Sequence, residues 1–128
     1  MNLKPSPFAP DQFPDLPTIA GVKTATGSRG FYAARGLERD DVFLFAFDPG
    51  TTCAGVFTRS STASADVEWC RKALRDGAGQ AAALVVNSGN SNAFTVPKGE
   101  LKNEATLAAM VQSLAIDKTH CFLGATGV

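Results

Sequence analysis

Two short runs of the sequence are apolar at every position, and they constrain the fold more than any other feature. Residues 42–47 (VFLFAF) and 81–86 (AAALVV) have the length of strands and are bounded by turn residues such as Pro49, Gly50 and Gly79. A strand that is apolar on both of its faces belongs in the interior of a sheet that is covered on both sides. The chain is therefore predicted to contain a buried sheet.

Helical periodicity appears in two other segments. Thr62 or Ser64 can cap a helix that runs to Leu74, and residues 104–114 carry apolar side chains at helical spacing. Further strands are predicted at residues 19–25, 31–34, 53–58 and 120–124. The first of these is expected to form a hairpin with the second, and the third to pair antiparallel with residues 42–47. This order of elements predicts an α/β sandwich with a mixed sheet.

Length and charge restrict the partners that the chain can have. Its 128 residues fit one domain, and 12 Lys and Arg balance 12 Asp and Glu. Because binding to nucleic acid or to an anionic membrane relies on a surplus of positive charge, neither partner is expected. No apolar run approaches the ~20 residues of a membrane span, and no secretory signal is recognisable. A cytoplasmic location is expected.

Prolines crowd the first residues of the chain. Five of the seven prolines lie between residues 4 and 17, interleaved with large apolar side chains. Because proline fixes φ and lacks an N–H, this pattern predicts an extended arm over residues 1–17, with a disordered tail as the alternative. The domain itself is then expected to cover residues 18–128.

Two groups of residues are candidates for a binding or catalytic site. Residues 87–93 (NSGNSNA) follow the apolar run 81–86, where backbone N–H groups and amide side chains can be presented at a sheet edge. The alternative is a turn in which the asparagines bond their own backbone. Thr126 and Gly127 follow the last predicted strand, and ligand crevices of open α/β sheets lie at such strand ends. A threonine hydroxyl beside an unhindered glycine N–H offers the two donors that an oxyanion hole requires.

The remaining candidates are assigned structural roles. His120, the only histidine, has no neighbouring pattern that would make it a general base. Asp40 and Asp41 are predicted to lie in a solvated turn. The three cysteines have no CxxC spacing, so buried, reduced thiols are predicted rather than disulfides or a zinc site, and Cys53 is not expected to be a nucleophile.

Several motifs together resemble one enzyme family. Residues 54–58 (AGVFT), 85–93 (VVNSGNSNA) and 125–128 (ATGV), in this order and roughly this spacing, resemble the N-terminal part of the ornithine acetyltransferases. These are the bifunctional glutamate N-acetyltransferases of arginine biosynthesis. Residues 19–34 also resemble the start of that family, so the likeness spans most of residues 17–128.

The resemblance implies a specific activity. Members of the family cleave their own precursor before an internal threonine, and this threonine carries the acetyl group from N2-acetylornithine to glutamate, which releases ornithine. The implied assembly contains two α and two β chains. No cofactor is implied, although acetyl-CoA can serve as an acetyl donor in bifunctional members. In this scheme Thr126 and Gly127 supply the oxyanion hole.

The nucleophilic threonine and the cleavage segment are expected beyond Val128. The chain is therefore expected to be a truncated part of the α chain, with its sheet completed by other segments, and to be inactive alone. Two alternatives stay open. One is a non-catalytic module whose Asn87 to Asn92 loop and Thr126–Gly127 turn hold a small anion or the end of a partner's chain. The other is a related N-terminal-nucleophile amidase or aminopeptidase.

Overall fold

The chain forms one four-stranded mixed sheet with two α-helices. The computed structural model describes residues 6–12, 14–33, 36–95 and 97–127. Its elements are β1 (Val22–Gly27), β2 (Val42–Phe47), α1 (Ala65–Asp76), β3 (Ala83–Ser88), α2 (Lys98–Leu114), a 3₁₀ helix (Lys118–His120) and β4 (Cys121–Thr126). The strands lie in the order β1-β2-β3-β4, antiparallel except for the parallel pair β3 and β4. The predicted α/β class with a mixed sheet is confirmed.

Helix α1 starts where its sequence offers a cap. Ser64 is the N-cap, and its Oγ accepts a hydrogen bond from Val67 N at 3.4 Å. Such a bond satisfies one of the N–H groups that a helix start leaves without a partner. The helix ends at Gly77, whose N–H donates to Ala73 O at 2.8 Å. Of the two candidate caps, Thr62 and Ser64, the structure uses Ser64, and the helix extends two residues beyond Leu74 to Asp76.

Helix α2 begins at Lys98, earlier than the predicted residue 104. Its first turn contains Gly99, which is unfavourable inside helices and hides this start from a periodicity argument. A Cβ at Gly99 would lie 2.5 Å from Thr95 Oγ1 and 3.3 Å from Ala65 Cβ. Glycine therefore allows the start of α2 to pack closely against the start of α1.

The hydrophobic core lies between the sheet and the two helices. Ala83, Leu107 and Cys121 are completely buried, and Met110 and Leu123 complete the cluster. Cys70 and Cys121 are buried free thiols, as predicted, whereas Cys53 is only half-buried. Burial of these side chains supplies the main driving force for packing α2 on the sheet.

Helix α1 covers the outer edge of β4. Trp69 Nε1 donates to Cys121 O at 2.9 Å, and Cys70 Sγ donates to Leu123 O at 3.0 Å. Leu123 N in turn donates to Cys70 Sγ at 3.4 Å. An exposed strand edge presents unpaired backbone groups. The side chains of α1 satisfy these groups and hold the helix against β4.

The second face of the sheet carries large apolar side chains, and it is opposite the face on which α2 packs. Alternation along the strands assigns these residues to this face, and all are half-buried: Phe43, Phe45, Phe47, Leu84, Val86 and Phe122. Coverage on both faces was predicted for residues 42–47. Within the described part of the chain, α2 packs against the other face, whereas Cys70 and Leu74 of α1 line a cavity with residues of this face at its β4 edge.

Two predicted strands are wrong. Residues 31–33 form a turn, and the strand expected to pair with them is β1, which pairs with β2 from Val22 opposite Phe47 to Gly27 opposite Val42. Residues 53–58 form no strand, and the isolated bridge between Thr52 and Gln80 lies just before them. Because β1 and β3 already occupy both edges of β2, residues 53–58 have no edge of β2 to pair with.

The described residues before β1 contain no helix or strand and are almost all exposed. The division between an arm and a domain at residue 17 stays a prediction, and the arm's residues 1–5 and 13 lie outside the described part of the chain, as do Ala34 and Val128. None of the described helices has the length and apolar character that crossing a membrane demands.

Gly77 provides a test of the packing between α1 and the chain before β4. A Cβ at this position would lie 2.5 Å from Thr119 O, and backbone atoms cannot move aside cheaply. Gly77→Ala is expected to lower the free energy of unfolding of the complete protein by about 1–3 kcal/mol. The control is Gly27→Ala, where a Cβ meets no atom within 4 Å and the expected change is below ~0.5 kcal/mol. Equal denaturation midpoints for the two variants would contradict this packing.

Cys121 should make stability depend on alkaline pH. Burial, together with the nearby Asp117 carboxylate, raises the pKa of this thiol from 9.0 to about 11. Between these values the unfolded chain releases the proton while the folded chain retains it. Stability is therefore fully present below pH ~9 and falls as the pH rises, by at most about 1.4 kcal/mol per pH unit. Urea unfolding between pH 8 and ~11 should show a smaller loss for Cys121→Ala than for the wild type; identical slopes would rule out this contribution.

Candidate active site

The parallel pairing of β3 and β4 brings the two predicted motifs together. Ser88, at the end of β3, is the register partner of Thr126, at the end of β4. Gly89 N donates to Thr126 O at 2.9 Å, and a Cβ on Gly127 would lie 3.6 Å from Ser91 Cβ. The loop of residues 87–92 therefore lies directly beside the Thr126–Gly127 pair at the carboxyl end of the sheet.

Thr126 and Gly127 are both exposed at this end of the sheet. The Thr126 hydroxyl donates to Gly127 O at 3.3 Å, which is long for an O–H···O bond. Among the residues that the structure describes, the Gly127 N–H has no acceptor within hydrogen-bond distance. The hydroxyl and the N–H are thus two donors without a short hydrogen bond at this exposed strand end.

The asparagine side chains of the loop bond to other groups of the protein. Asn87 Nδ2 donates to Asn90 O at 3.1 Å, and Asn90 Nδ2 donates to Asn92 Oδ1 at 2.9 Å. Asn92 adopts a left-handed backbone with φ of 55° and accepts a bond from Thr95 Oγ1 through its carbonyl oxygen at 2.7 Å. This is the behaviour of a structured turn, in which asparagine tolerates the left-handed region. These hydrogen bonds hold the loop together, although Asn90 itself is exposed.

A buried ion pair that the sequence analysis missed supports this loop. The Asp66 carboxylate is almost completely buried and accepts from Asn92 Nδ2 at 2.9 Å and from Lys102 Nζ at 3.1 Å. Lys102 Nζ also donates to Asn87 Oδ1 at 3.0 Å. Asp66 lies in the first turn of α1 and Lys102 near the start of α2. Because these residues are distant in sequence, no local pattern reveals the pair.

A second buried carboxylate, that of Asp41, organises the segment on the other side of the loop. Asp41 is 3% exposed and accepts hydrogen bonds from Arg29 N at 2.7 Å and from Phe31 N at 2.8 Å. The predicted solvated turn is therefore wrong for this residue, because its carboxylate binds a turn of the backbone. Tyr32, which follows this turn, shares a 2.6 Å hydrogen bond between its OH and Ser88 Oγ.

Phe31 lies against the backbone of the loop. A Cβ at Gly89 would come within 2.3 Å of the Phe31 ring, and Gly89 has a φ of 102°, in the region that favours glycine. The ring of Phe31 packs edge-on against Tyr32 with centroids 5.2 Å apart. Glycine at position 89 therefore allows the ring to close over the end of β3.

His120 and Cys53, to which structural roles were assigned, lie away from this site. His120 is in the 3₁₀ helix before β4, at the opposite end of that strand from Thr126. Cys53 lies outside the loop, and burial raises the pKa of its thiol, which disfavours the reactive thiolate. Within the described ranges, no three His, Cys, Asp or Glu side chains come together as metal ligands.

Comparison with known proteins identifies the family. The profile of the ArgJ family matches residues 25–128. This chain belongs to the ArgJ family. It is 45% identical over 128 residues to the arginine biosynthesis bifunctional protein ArgJ of Bradyrhizobium diazoefficiens. It is 47% identical over 130 residues to the protein of the same name from Nitrobacter winogradskyi. In both comparisons the match covers 100% of this chain and 30% of the relative, so the chain spans less than a third of the length of these ArgJ proteins.

Solved structures of the family share this fold. The ornithine acetyltransferase of Mycobacterium tuberculosis, solved in complex with ornithine, superposes with a TM-score of 0.70 at 30% identity, covering 85% of this chain and 57% of that chain. The ArgJ protein of Bacillus halodurans gives a TM-score of 0.69 at 23% identity, covering 85% and 55%. At 23% identity, the likeness to the Bacillus halodurans protein shows a shared fold only. The family resemblance stated from the sequence motifs is confirmed.

The two adjacent aspartates allow a matched test of the segment beside the loop. Asp41→Ala removes the acceptor of two backbone N–H groups and is expected to cost about 3–6 kcal/mol of unfolding free energy, because hydrogen bonds to charged groups contribute ~1.5–3 kcal/mol each. Asp40→Ala, at a half-buried neighbour, is expected to change stability by less than ~0.5 kcal/mol. Thermal unfolding of the complete protein measures both. A large loss with Asp40→Ala, or none with Asp41→Ala, would contradict the assignment.

Proposed function

We propose that the complete protein transfers an acetyl group from N2-acetylornithine to glutamate in arginine biosynthesis, and that this segment supplies the oxyanion hole. The nucleophile is a threonine that self-cleavage of the precursor frees, and it lies outside these 128 residues. The observation that carries the proposal is membership of the ArgJ family, together with the position of Thr126 and Gly127 at the carboxyl end of β4.

The chemistry requires a place for negative charge. Attack of the threonine hydroxyl on the acetyl carbonyl carbon forms a tetrahedral intermediate, and its oxygen takes the electron pair of the C=O bond. The Thr126 hydroxyl and the Gly127 N–H are two adjacent, exposed donors for that oxygen. Because the existing bond from Thr126 Oγ1 is long, turning the hydroxyl toward the substrate costs little.

The reaction then proceeds in two halves. Collapse of the intermediate breaks the C–N bond, releases ornithine with a proton on its amine, and leaves an acetyl-threonine ester. Glutamate attacks the ester through its amine and leaves as N-acetylglutamate. The amine of an N-terminal threonine can act as the base in both halves, so His120 is not required. The reaction needs no resident cofactor, and acetyl-CoA enters only as an alternative acetyl donor.

The apolar face of the sheet supports a larger assembly. Phe43, Phe45 and Phe122 remain half-buried on the face opposite α2, although Cys70 and Leu74 of α1 reach its β4 edge. Parallel and mixed sheets of α/β proteins are normally covered on both faces. We assign this face to other segments of the same precursor, namely the remainder of the α chain and the β chain, in an assembly of two α and two β chains.

The alternative is a non-catalytic binding module that uses the loop of residues 87–92 and the Thr126–Gly127 turn. Its support from the loop is reduced, because the amides of Asn87, Asn90 and Asn92 are bonded within the loop, to Lys102 or to Asp66. Exposed donors at Thr126 and Gly127 fit both functions, and membership of the ArgJ family favours the enzyme.

Thr126→Ala in the complete enzyme tests the oxyanion hole. Loss of one donor typically costs ~10²–10³ in rate, so kcat for acetyl transfer from N2-acetylornithine to glutamate should fall by that factor while KM changes by less than about 3-fold. Thr126→Ser keeps the hydroxyl and should retain most of kcat. The assay is steady-state formation of N-acetylglutamate.

Two controls accompany this measurement. Electrophoresis of each variant reports whether the precursor has been cleaved into two chains, so that a cleavage defect is not mistaken for a defect in acetyl transfer. Thr24→Ala alters an exposed threonine of β1, away from the site, and should leave kcat unchanged. A cleaved Thr126→Ala enzyme with wild-type kcat would remove Thr126 from the mechanism.

A further inference from the structure

Only one ion pair among the described residues contains a buried charge. The Asp66 side chain is 4% exposed and that of its partner Lys102 is 35% exposed. In the other described pairs both side chains are at least 29% exposed. Surface pairs contribute little to stability, and a buried charge is costly unless it is well compensated. The position of this pair therefore calls for a physical reason.

The pair is bonded to both ends of the asparagine loop. Asn87, where β3 leads into the loop, receives a hydrogen bond from Lys102 Nζ at 3.0 Å through its Oδ1. Asn92, at the far end, donates to Asp66 Oδ2 at 2.9 Å. Asn92 Nδ2 also approaches Asn87 Oδ1 at 3.5 Å, which closes the network. One carboxylate and one ammonium thus fix the separation of the loop's two ends.

The middle of the loop contacts the proposed oxyanion hole. Gly89 N donates to Thr126 O at 2.9 Å, and this carbonyl belongs to the peptide group that also contains the Gly127 N–H. Ser91 lies against Gly127, 3.6 Å from the position of a Cβ. A shift of the loop would therefore rotate the peptide group whose N–H is one of the two donors.

We propose that Asp66 and Lys102 are positioning residues that set the orientation of the Thr126–Gly127 peptide group through the loop of residues 87–92. The inference rests on the proposed function, because it concerns the same oxyanion hole. Donors of an oxyanion hole work only when they are held in place before the reaction. Without its ammonium partner, the Asp66 carboxylate draws in water or another donor, and the loop loses its fixed span.

Lys102→Met tests the role of the ammonium group with the side-chain length retained. In the complete, cleaved enzyme, kcat for acetyl transfer should fall by ~10–100-fold with KM changed by less than about 3-fold, since small displacements of catalytic groups have effects of this size. Lys102→Arg keeps a charge that can reach both acceptors and should restore kcat to within about 5-fold of the wild type. Lys98→Met, at an exposed lysine one turn earlier in α2, is the matched control and should be neutral.

A loss confined to KM in Lys102→Met would overturn the proposal. The orientation of the oxyanion-hole donors acts on the transition state, so its loss should appear in kcat rather than in KM.

Hydrogen exchange separates this proposal from the proposed function. Lys102→Met should speed amide exchange at Gly89 at least 10-fold, because its bond to Thr126 O depends on the loop, while the amides of β2 stay protected. Unchanged exchange at Gly89 would overturn the positioning role whatever the activity. Faster exchange combined with a wild-type kcat for Thr126→Ala would instead reject the oxyanion hole.

Asp66→Asn provides a second variant in case Lys102→Met does not fold. This variant keeps the size of the side chain but replaces one carboxylate oxygen by an NH₂ group. An NH₂ group accepts no hydrogen bond, so the side chain loses the acceptor for either Asn92 or Lys102. The same combination is expected: lower kcat, nearly constant KM and faster exchange at Gly89. Wild-type kcat and exchange in Asp66→Asn would contradict the inference.

Discussion

The parallel pairing of β3 with β4 is the constraint on which the rest of the structure depends. Parallel neighbours need a crossover, and α2 provides it. The outer edge of β4 needs cover, and α1 provides it through Trp69 and Cys70. The same two helices bring Asp66 and Lys102 to the carboxyl end of β3. The topology therefore places Asp66 and Lys102 next to the loop of residues 87–92, which lies beside Thr126.

The sequence predicted those parts of the fold that depend on local pattern. The apolar runs located β2 and β3, and the cap at Ser64 located the start of α1. The predictions that failed depend on pairing. Residues 31–34 and 53–58 look like strands, but an apolar alternating segment carries no information on whether a neighbouring strand still has a free edge.

In the candidate site, too, the parts with a sequence motif were predicted and the parts formed by long-range contacts were missed. The motif of residues 87–93 and the pair Thr126–Gly127 were recognisable from sequence, and the register of β3 and β4 joins them. Asp66 and Lys102 were missed because their contact links residues near the starts of two helices that β3 separates in the chain. Asp41 was misassigned because adjacent aspartates usually mark a solvated turn, whereas its partners are backbone N–H groups of residues 29 and 31.

The distribution of buried polar groups argues that this end of the sheet is shaped for more than stability. Four polar or charged side chains are buried among the described residues, and three of them, Asp41, Asp66 and Asn92, lie around the end of β3 and its loop. A turn that only reversed the chain could do so with exposed asparagines. Burying two carboxylates costs desolvation free energy, which an apolar arrangement would avoid. The buried polar network holds the loop in a single conformation. A pair of fixed donors at Thr126 and Gly127 requires such a single conformation.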